Sequence, residues 1–407
     1  MTAPAISQTE FVARQPPQAA QLRPLGEELR SSLRMLVEGI PGGPHTPTPL
    51  ARLANINRVI ASKLLNALAR PDAFEVLQQL PGPESLRAIA NAAARLEVPR
   101  ETVDRAHRAI EQFAMVIRHD FGTRGALNAA ISPQGPELAR RFELASRYQV
   151  YKGMRQIRGV EAATWINTML FMPSPESPDF LQTIALHGAI GMRRLRPDVN
   201  VYFTAASSSR PSQDASNTPE LPVTLEDLYS NAPAPLKAEV VGDLLVHRLV
   251  HDQLGKKSVV DMLAIARNPL GSRRYSTPER PRGGAGVFPD IPVKTLIFDI
   301  LLHEEAFPGS KDPTLIVFNT GVRGMANPHD PSRNIDRITI PEQIEALGVE
   351  PDRLRLPEAP NYAAMIGRIC KHVEIPAEKF RLFRLRVSYP VHGCQFIMAF
   401  DAPAKKS

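Results

Sequence analysis

The histidines best spaced for chemistry are His247 and His251 in the segment "HRLVH". On a helix, residues four apart lie on one face, so the two imidazoles could bind a single zinc ion. The zinc-protease motif also has a glutamate directly after the first histidine, and Arg248 occupies that position. A third ligand would have to come from elsewhere, and the candidates are His303, Glu304 or Glu305 in "LLHEEAF". Because histidines on helices usually have structural roles, we predict no metal site and no cofactor.

Other candidate motifs are weaker still. The segments "GAIGMRR" and "RGGAG" lack the spacing of phosphate-binding glycine loops. The polar loop "FNTGVRGMANPHDPSRN" follows a predicted strand and is typical of a pocket wall, but it also fits an ordinary connection. Cys370 and Cys394 fit no metal spacing and are too few for a disulfide framework. We therefore predict no catalytic residues, and we keep as an alternative an enzyme of unknown class whose site lies at 319–329 or at the three histidines.

The positive charge of the chain is unevenly distributed along the sequence. The net charge is +7, and residues 22–160 contain 20 Lys and Arg against 13 Asp and Glu, whereas residues 161–407 contain 28 of each. A local basic excess attracts polyanions such as nucleic acid, although a solvated helical surface can have the same composition. The sequence has no apolar run long enough to cross a membrane and no secretory signal at its start. We therefore expect a cytoplasmic protein without a membrane partner.

The apolar spacing predicts an α+β protein with an all-helical N-terminal module and a larger mixed domain. Residues 1–22 are predicted to be a disordered leader, and the first amphipathic helix is predicted at 25–40. After residue 161 the chain changes to short β-favouring runs such as "VKTLIFDILL", with helices predicted at 238–254 and 361–372. The predicted domains are the leader, a helical module at 23–98, a helical linker or dimerisation region at 99–160, and a sensing or assembly domain at 161–407.

The stretch "LARLANINRVIASKLLNAL", from Leu50 to Leu68, consists of two short apolar-periodic segments joined at Asn55. Among the residue types, Asn is second only to Gly in adopting the left-handed conformation at a helix end, so we predict that the chain turns at Asn55. The predicted inward positions of the first segment are Leu50, Ala51 and Leu53. Those of the second segment are Val59 or Ile60, Ala61, Leu64, Leu65 and Leu68. The region between these helices and Pro83, which includes "FEVLQQL", is expected to hold no long β-wing.

This stretch resembles the helix-turn-helix of bacterial transcriptional regulators. The positions that carry the resemblance are Leu50, Ala51, Asn55, Ile56, Ala61 and Leu64. Asn55 replaces the usual glycine, and Ala61 replaces the usual valine or isoleucine, which thins the packing between the two helices. The resemblance covers about 22 residues and identifies no particular regulator family.

The resemblance implies that the second helix enters the major groove of double-stranded DNA. Arg58 or Lys63 would then bind guanine, Asn57 or Asn66 would pair with adenine, and Ser62 would contact phosphate. Arg52 and Arg70 are placed to contact the phosphate backbone. We therefore expect a transcriptional regulator that binds DNA as a homodimer, with a possible small-molecule effector in the C-terminal domain. A nonspecific nucleoid factor or protein-interaction factor remains a further alternative, and its binding would depend on salt but not on sequence.

Overall fold

The computed structural model describes residues 17–43, 45–204, 236–241, 244–250, 253–289, 291–321, 323–348 and 351–405. The chain divides into two compact units, the first ending at Glu143 and the second starting at Leu144. The first unit is helical and the second contains a mixed sheet, so the predicted α+β class is confirmed. Among the residues that the structure describes, no helix is long and apolar enough to cross a membrane.

The helices of the first unit follow one another through short connections. They are α1 Pro17–Gly39, α2 Pro47–Ala54, α3 Arg58–Leu68, α4 Ala73–Gln79, α5 Pro83–Arg95, α6 Arg100–Met115, α7 Arg124–Ile131 and α8 Pro136–Arg158, the last of which continues into the second unit. A π-helical turn, Val116–Phe121, directly follows α6.

Two expectations for the helical part can be compared with the structure. The first helix starts at Pro17 instead of about residue 25, and Leu22 is buried in the core, so the end of the predicted disordered leader is helical. Residues 1–16 of that leader lie outside the described residues. The segment "FEVLQQL" forms α4 and its C-terminal end, because Asp72 caps the helix by accepting hydrogen bonds from the backbone N–H groups of Phe74 and Glu75. The expectation of no long β-wing is confirmed.

One apolar core holds the first unit together. Leu29, Leu33 and Leu36 form the buried stripe of α1, with the three- and four-residue spacing of an amphipathic helix. Val103, Ile110, Phe113, Leu127, Ile131 and Leu138 from α6, α7 and α8 belong to the same core. These residues of α6, α7 and α8 therefore share one core with α2 and α3.

The described strands of the second unit form three sheets. The strands are β1 Val160–Pro173, β2 Phe180–Arg194, β3 Tyr202–Thr204, β4 Leu236–Val241, β5 Leu244–Leu249, β6 Val260–Arg273, β7 Arg282–Val287, β8 Val293–His303, β9 Thr314–Asn319, β10 Glu345–Gly348, β11 Phe380–Ser388 and β12 Cys394–Asp401. The largest sheet has the order β10-β11-β8-β1-β2-β6, and its central pair β1 and β8 is parallel. The smaller sheets have the orders β7-β12-β9 and β3-β5-β4.

The largest sheet has an apolar core on each face. On one face, Ile166, Leu170 and Ile297 pack with residues of α9, Tyr362–His372, the helix predicted at 361–372. On the other face, strands β1, β8 and β11 share a core with the sheet β7-β12-β9. Strand positions therefore alternate between two buried faces, as expected for the centre of a layered α+β domain.

A buried polar network lies under α9. Arg384 on β11 donates to both carboxylate oxygens of Asp299 on β8. Its Nε atom lies 2.9 Å from Oδ1, and its Nη2 atom lies 2.7 Å from Oδ2. The Tyr362 hydroxyl also donates to Asp299, at 2.7 Å, and accepts from the Thr168 hydroxyl at 2.7 Å. Because each charge has its partner inside the core, the network is consistent with a structural role.

The helix prediction for 238–254 is wrong. Residues 236–241 and 244–249 are the antiparallel strands β4 and β5, paired with Val240 opposite Leu245 and Val241 opposite Leu244. The sequence between them contains Gly-Asp, a turn dipeptide, and the adjacent valines favour strands over helices. The four-residue spacing of His247 and His251 therefore does not place them on one helical face. His247 lies in β5, and His251 lies outside the described residues.

Candidate nucleic-acid interface

The turn at Asn55 has the predicted left-handed backbone. Asn55 has φ 51° and ψ 48°, and it directly follows α2. The backbone N–H of Ile56 donates to the carbonyl of Ala51 at 3.0 Å, and that of Asn55 donates to the carbonyl of Arg52 at 3.3 Å. These two bonds form a Schellman motif, which satisfies carbonyls at the end of α2 and redirects the chain. The next helix, α3, begins three residues later, so the sequence forms helix, turn and helix as predicted.

Most of the predicted inward face of α2 is buried. Leu50 is fully buried and Ala51 is 8% exposed, but Leu53 is 40% exposed and Ala54 takes the expected place in the core. The prediction that Leu53 faces inward is wrong, because positions 50, 51 and 54 follow the helical spacing of one face and position 53 lies beside it.

Helix α3 has a buried face and a polar face. Ala61 and Leu64 are fully buried, and Leu68 is 5% exposed. The opposite side carries Ser62, Lys63 and Asn66, of which Lys63 and Asn66 are exposed and Ser62 is half-buried. We call Arg58, Val59, Ser62, Lys63 and Asn66 the outward stripe of α3. The side of the second helix that was predicted to face outward is therefore accessible.

Hydrogen bonds hold both ends of α3. At the N-terminus, the Oδ1 atom of Asn57 accepts from the backbone N–H of Val59 at 2.7 Å, the expected geometry of an N-cap. At the C-terminus, two guanidinium groups from α1 donate to carbonyls that lack helical partners. Arg34 donates to the carbonyl of Leu68 at 2.6 Å, and Arg30 donates to the carbonyls of Arg70, at 3.2 Å, and Pro71. The negative end of the helix dipole is therefore neutralised, and α3 is fixed against α1.

The stretch of chain that contains α2 and α3 carries charges of one sign only. Residues 39–71 contain no Asp or Glu, and they include Arg52, Arg58, Lys63 and Arg70. The side chains of Arg52, Arg58 and Lys63 are exposed, and within the described parts of the chain none of the three has a hydrogen bond or an ion pair. These three cations can therefore bind an external anion without first breaking an internal contact.

The other predicted contact residues have partners within the protein. The Oδ1 atom of Asn57 serves as the helix cap, so the side chain is held at the start of α3 and a pairing with adenine would have to share that oxygen with the cap. Asn66 donates to the hydroxyl of Ser62 at 3.5 Å, an interaction between exposed groups at the limit of hydrogen-bond length. Arg70 lies 3.7 Å from a carboxylate oxygen of Glu75 and is half-buried. A phosphate contact by Arg70 would therefore compete with this ion pair.

The basic excess of residues 22–160 is shared between the two structural units. The first 143 residues contain 17 Lys and Arg against 14 Asp and Glu, whereas residues 144–158 contain four Lys and Arg and no acidic residue. Much of the excess therefore lies on the part of α8 that belongs to the second unit. The feature that favours DNA in the first unit is the acid-free stretch 39–71, not the total charge of that unit.

Sequence reasoning missed two features of this surface. Val59 is 60% exposed and belongs to the outward stripe, while Ile60 is half-buried against the core. The spacing contained this signal, because Val59 lies three, four and seven residues before Ser62, Lys63 and Asn66. The positioning role of Arg30 and Arg34 had no local signal, since their acceptors are more than 30 residues away.

Of the residues suggested for an enzymatic site, His251 lies outside the described residues, and His303 and the loop 319–329 make contacts within the protein. Within the described ranges, no group of three His, Cys, Asp or Glu side chains could hold a metal ion. The Nδ1 atom of His303 accepts from the backbone N–H of Glu305 at 3.2 Å, and burial lowers the pKa of this imidazole. In the loop 319–337, the buried Arg333 donates to the carbonyls of Gly324 and Met325, at 2.8 and 3.0 Å. These contacts stabilise the loop itself.

The described part of the second unit contains a small groove. It has a volume of about 240 Å³, and its lining includes Met172, Gln182, Arg267, His372 and Glu374. The Arg267 guanidinium donates to Oε1 of Gln182 at 2.8 and 3.1 Å, so two of its donor atoms are already engaged. This volume is below the range of ligand pockets, which is about 300–1,000 Å³. The effector therefore stays an expectation from the sequence.

Comparisons of the chain with protein families, with characterised proteins and with solved structures found no match.

Proposed function

We propose that this protein is a sequence-specific DNA-binding transcriptional regulator that inserts α3 into the major groove. The observation that carries the proposal is the availability of the Arg58 and Lys63 side chains for an external partner. Both cations are exposed on a helix that is held at each end, and neither has a partner within the described residues. An unpaired cation on a fixed helix can bind a base edge or a phosphate without a large loss of conformational freedom elsewhere in the protein.

The outward stripe offers the chemical groups that base recognition needs. Arg58 in the first turn of α3 and Lys63 in the second are donors for the O6 and N7 atoms of guanine. Asn66 provides both a donor and an acceptor for adenine, since its contact with Ser62 is weak and exposed. Arg52, on α2, would contact a phosphate and fix the register of the protein on the duplex.

The proposal includes a homodimer and a cytoplasmic location. A helix of 11 residues buries too little surface for tight, specific binding, and two copies related by a twofold axis double the contacts. A palindromic operator follows from this arrangement, with half-sites spaced by the dimer.

The test is a selection of binding sequences from random duplex DNA with the purified full-length protein. We expect one enriched motif with twofold symmetry. The variant with both Arg58→Ala and Lys63→Ala should lose the enrichment, whereas Arg95→Ala should keep it, because Arg95 is an exposed arginine at the end of α5. Absence of any enriched motif, even at low salt, would refute the proposal. Binding to all sequences alike would instead support the nonspecific nucleoid factor.

A further inference from the structure

One apolar side chain lies within the polar outward stripe of α3. Val59 is 60% exposed, although the remaining stripe residues are Arg58, Ser62, Lys63 and Asn66. Its two methyl groups make little contribution to the core, which Ala61, Leu64 and Leu68 build from the opposite face of the helix. Valine is also a weaker helix former than alanine, because its branched side chain loses rotamer freedom in a helix. Neither core packing nor helix propensity therefore explains a valine at this position.

Val59 is placed at the end of α3 that would enter the groove first. It is the second residue of the helix, and its backbone N–H is held by the Asn57 cap at 2.7 Å, so the orientation of its Cβ is fixed. It lies one turn before Ser62 and Lys63 on the same side of the helix. A group that contacts Lys63 or Arg58 along a base-pair edge is thus also close to the methyl groups of Val59.

The major groove contains one apolar group that a valine can recognise. This is the C5-methyl group of thymine, while the other base edges present hydrogen-bond donors and acceptors. We infer that Val59 is a specificity-determining residue that contacts a thymine methyl group, so that each half-site contains a required thymine next to the bases bound by Arg58 or Lys63. This inference rests on the proposed function and adds to it the chemistry of one recognised base.

The experiment replaces each thymine of the selected motif in turn with uracil, which lacks only the C5-methyl group. Affinities of the full-length protein for these duplexes are measured by fluorescence anisotropy at one salt concentration. For the wild type, loss of one buried methyl contact should weaken binding about fourfold at a single thymine of each half-site. The Val59→Ala variant should bind the thymine and uracil duplexes equally at that position.

Two matched variants separate base recognition from general effects on the protein. Leu53→Ala removes another exposed apolar side chain, on α2 and outside the outward stripe, and should keep the full discrimination between thymine and uracil. Val59→Thr keeps one of the two methyl groups and should keep part of the discrimination between thymine and uracil. Since Val59 is exposed, Val59→Ala should fold normally, which its circular dichroism spectrum checks.

The outcomes distinguish this inference from the proposed function. If a motif is enriched but no thymine shows a uracil effect, the role of Val59 is refuted and the regulator proposal stands. The same conclusion follows if Val59→Ala keeps the uracil effect of the wild type. If no motif is enriched, the proposed function is refuted, and the role of Val59 with it.

Discussion

Replacement of Arg58 and of Arg52 by alanine should have two different effects on DNA binding. Arg58 is in the outward stripe of α3, whereas Arg52 is on α2, where the adjacent backbone of the DNA would lie in a helix-turn-helix complex. Both arginines are exposed and have no side-chain partner in the described part of the chain. Their removal therefore breaks no internal contact, and we expect the free energy of unfolding to change by less than about 0.5 kcal/mol.

The expected magnitudes follow from these positions. If Arg58 binds a guanine, Arg58→Ala removes about 1–3 kcal/mol of discrimination at one base pair, which is about 5- to 150-fold in relative affinity. If Arg52 binds one phosphate, Arg52→Ala lowers the slope of log affinity against log salt by about 0.9. A fourfold increase in salt would then weaken the wild type about 3.5-fold more than it weakens Arg52→Ala.

The assay is a titration of the selected duplex and of its single base-pair variants, at two salt concentrations, with each protein. Arg58→Ala should flatten the preference at one position, and Arg52→Ala should weaken every duplex by the same factor. The reasoning would be refuted if Arg52→Ala changed the preferred base, or if Arg58→Ala weakened all duplexes equally. The first result would mean that α2 takes part in base readout, and the second that Arg58 contacts the backbone instead of a base.

Three further predictions concern the parts that position this surface and the second unit. Asn57→Ala should destabilise α3 by about 1 kcal/mol, seen as faster amide hydrogen exchange in residues 58–62, and Asn57→Ser, which can still cap the helix, should not. Gly26→Ala should lower the midpoint of thermal unfolding, because the Cβ of the new alanine would lie 2.5 Å from the carbonyl oxygen of Ala73 on α4. The control Gly153→Ala has open space around the new Cβ and should leave the midpoint unchanged or raise it. Burial acts to raise the pKa of Glu161, but hydrogen bonds from Tyr151, Arg155 and Arg193 hold that pKa below its ordinary value of 4.5. The ionised Glu161 therefore stabilises the folded protein above pH 4.5, and this stabilisation is lost as the pH falls through the lowered pKa. Unfolding in urea between about pH 5 and pH 3 should therefore show a smaller loss of stability for Glu161→Gln than for the wild type.

The sequence was sufficient to predict the turn because its cause is local. The left-handed conformation at Asn55 depends on one residue type, and the two apolar segments around it fix which residues are buried. The same local rules predict α9 and most of the helical unit. They were wrong at Leu53, which is apolar but 40% exposed, and they left Val59 or Ile60 open as the inward residue, which the structure assigns to Ile60.

The strands β4 and β5 show where local reasoning was wrong. The segment from 236 to 249 has an apolar pattern compatible with a helix, but the structure pairs its two halves as an antiparallel hairpin and adds β3 at one edge. A strand gains its hydrogen bonds from residues that are distant along the chain, and the sequence pattern does not contain that information. The interpretation of the two histidines as a helical pair depended on this helix and was lost with it.

The arginines of the first unit explain why net charge alone is a poor guide to a DNA-binding surface. Arg30, Arg34 and Arg124 donate to main-chain carbonyls at the C-terminal ends of α3 and α4, so part of their charge is used to stabilise helices. Burial lowers the pKa of Arg124 to about 10, which reflects this internal position. The cations available to an external anion are those without an internal acceptor, and around α3, within the part of the chain that the structure describes, Arg52, Arg58 and Lys63 are such cations. The arginines that are engaged with carbonyls still serve recognition, because they hold the helix that presents the free ones.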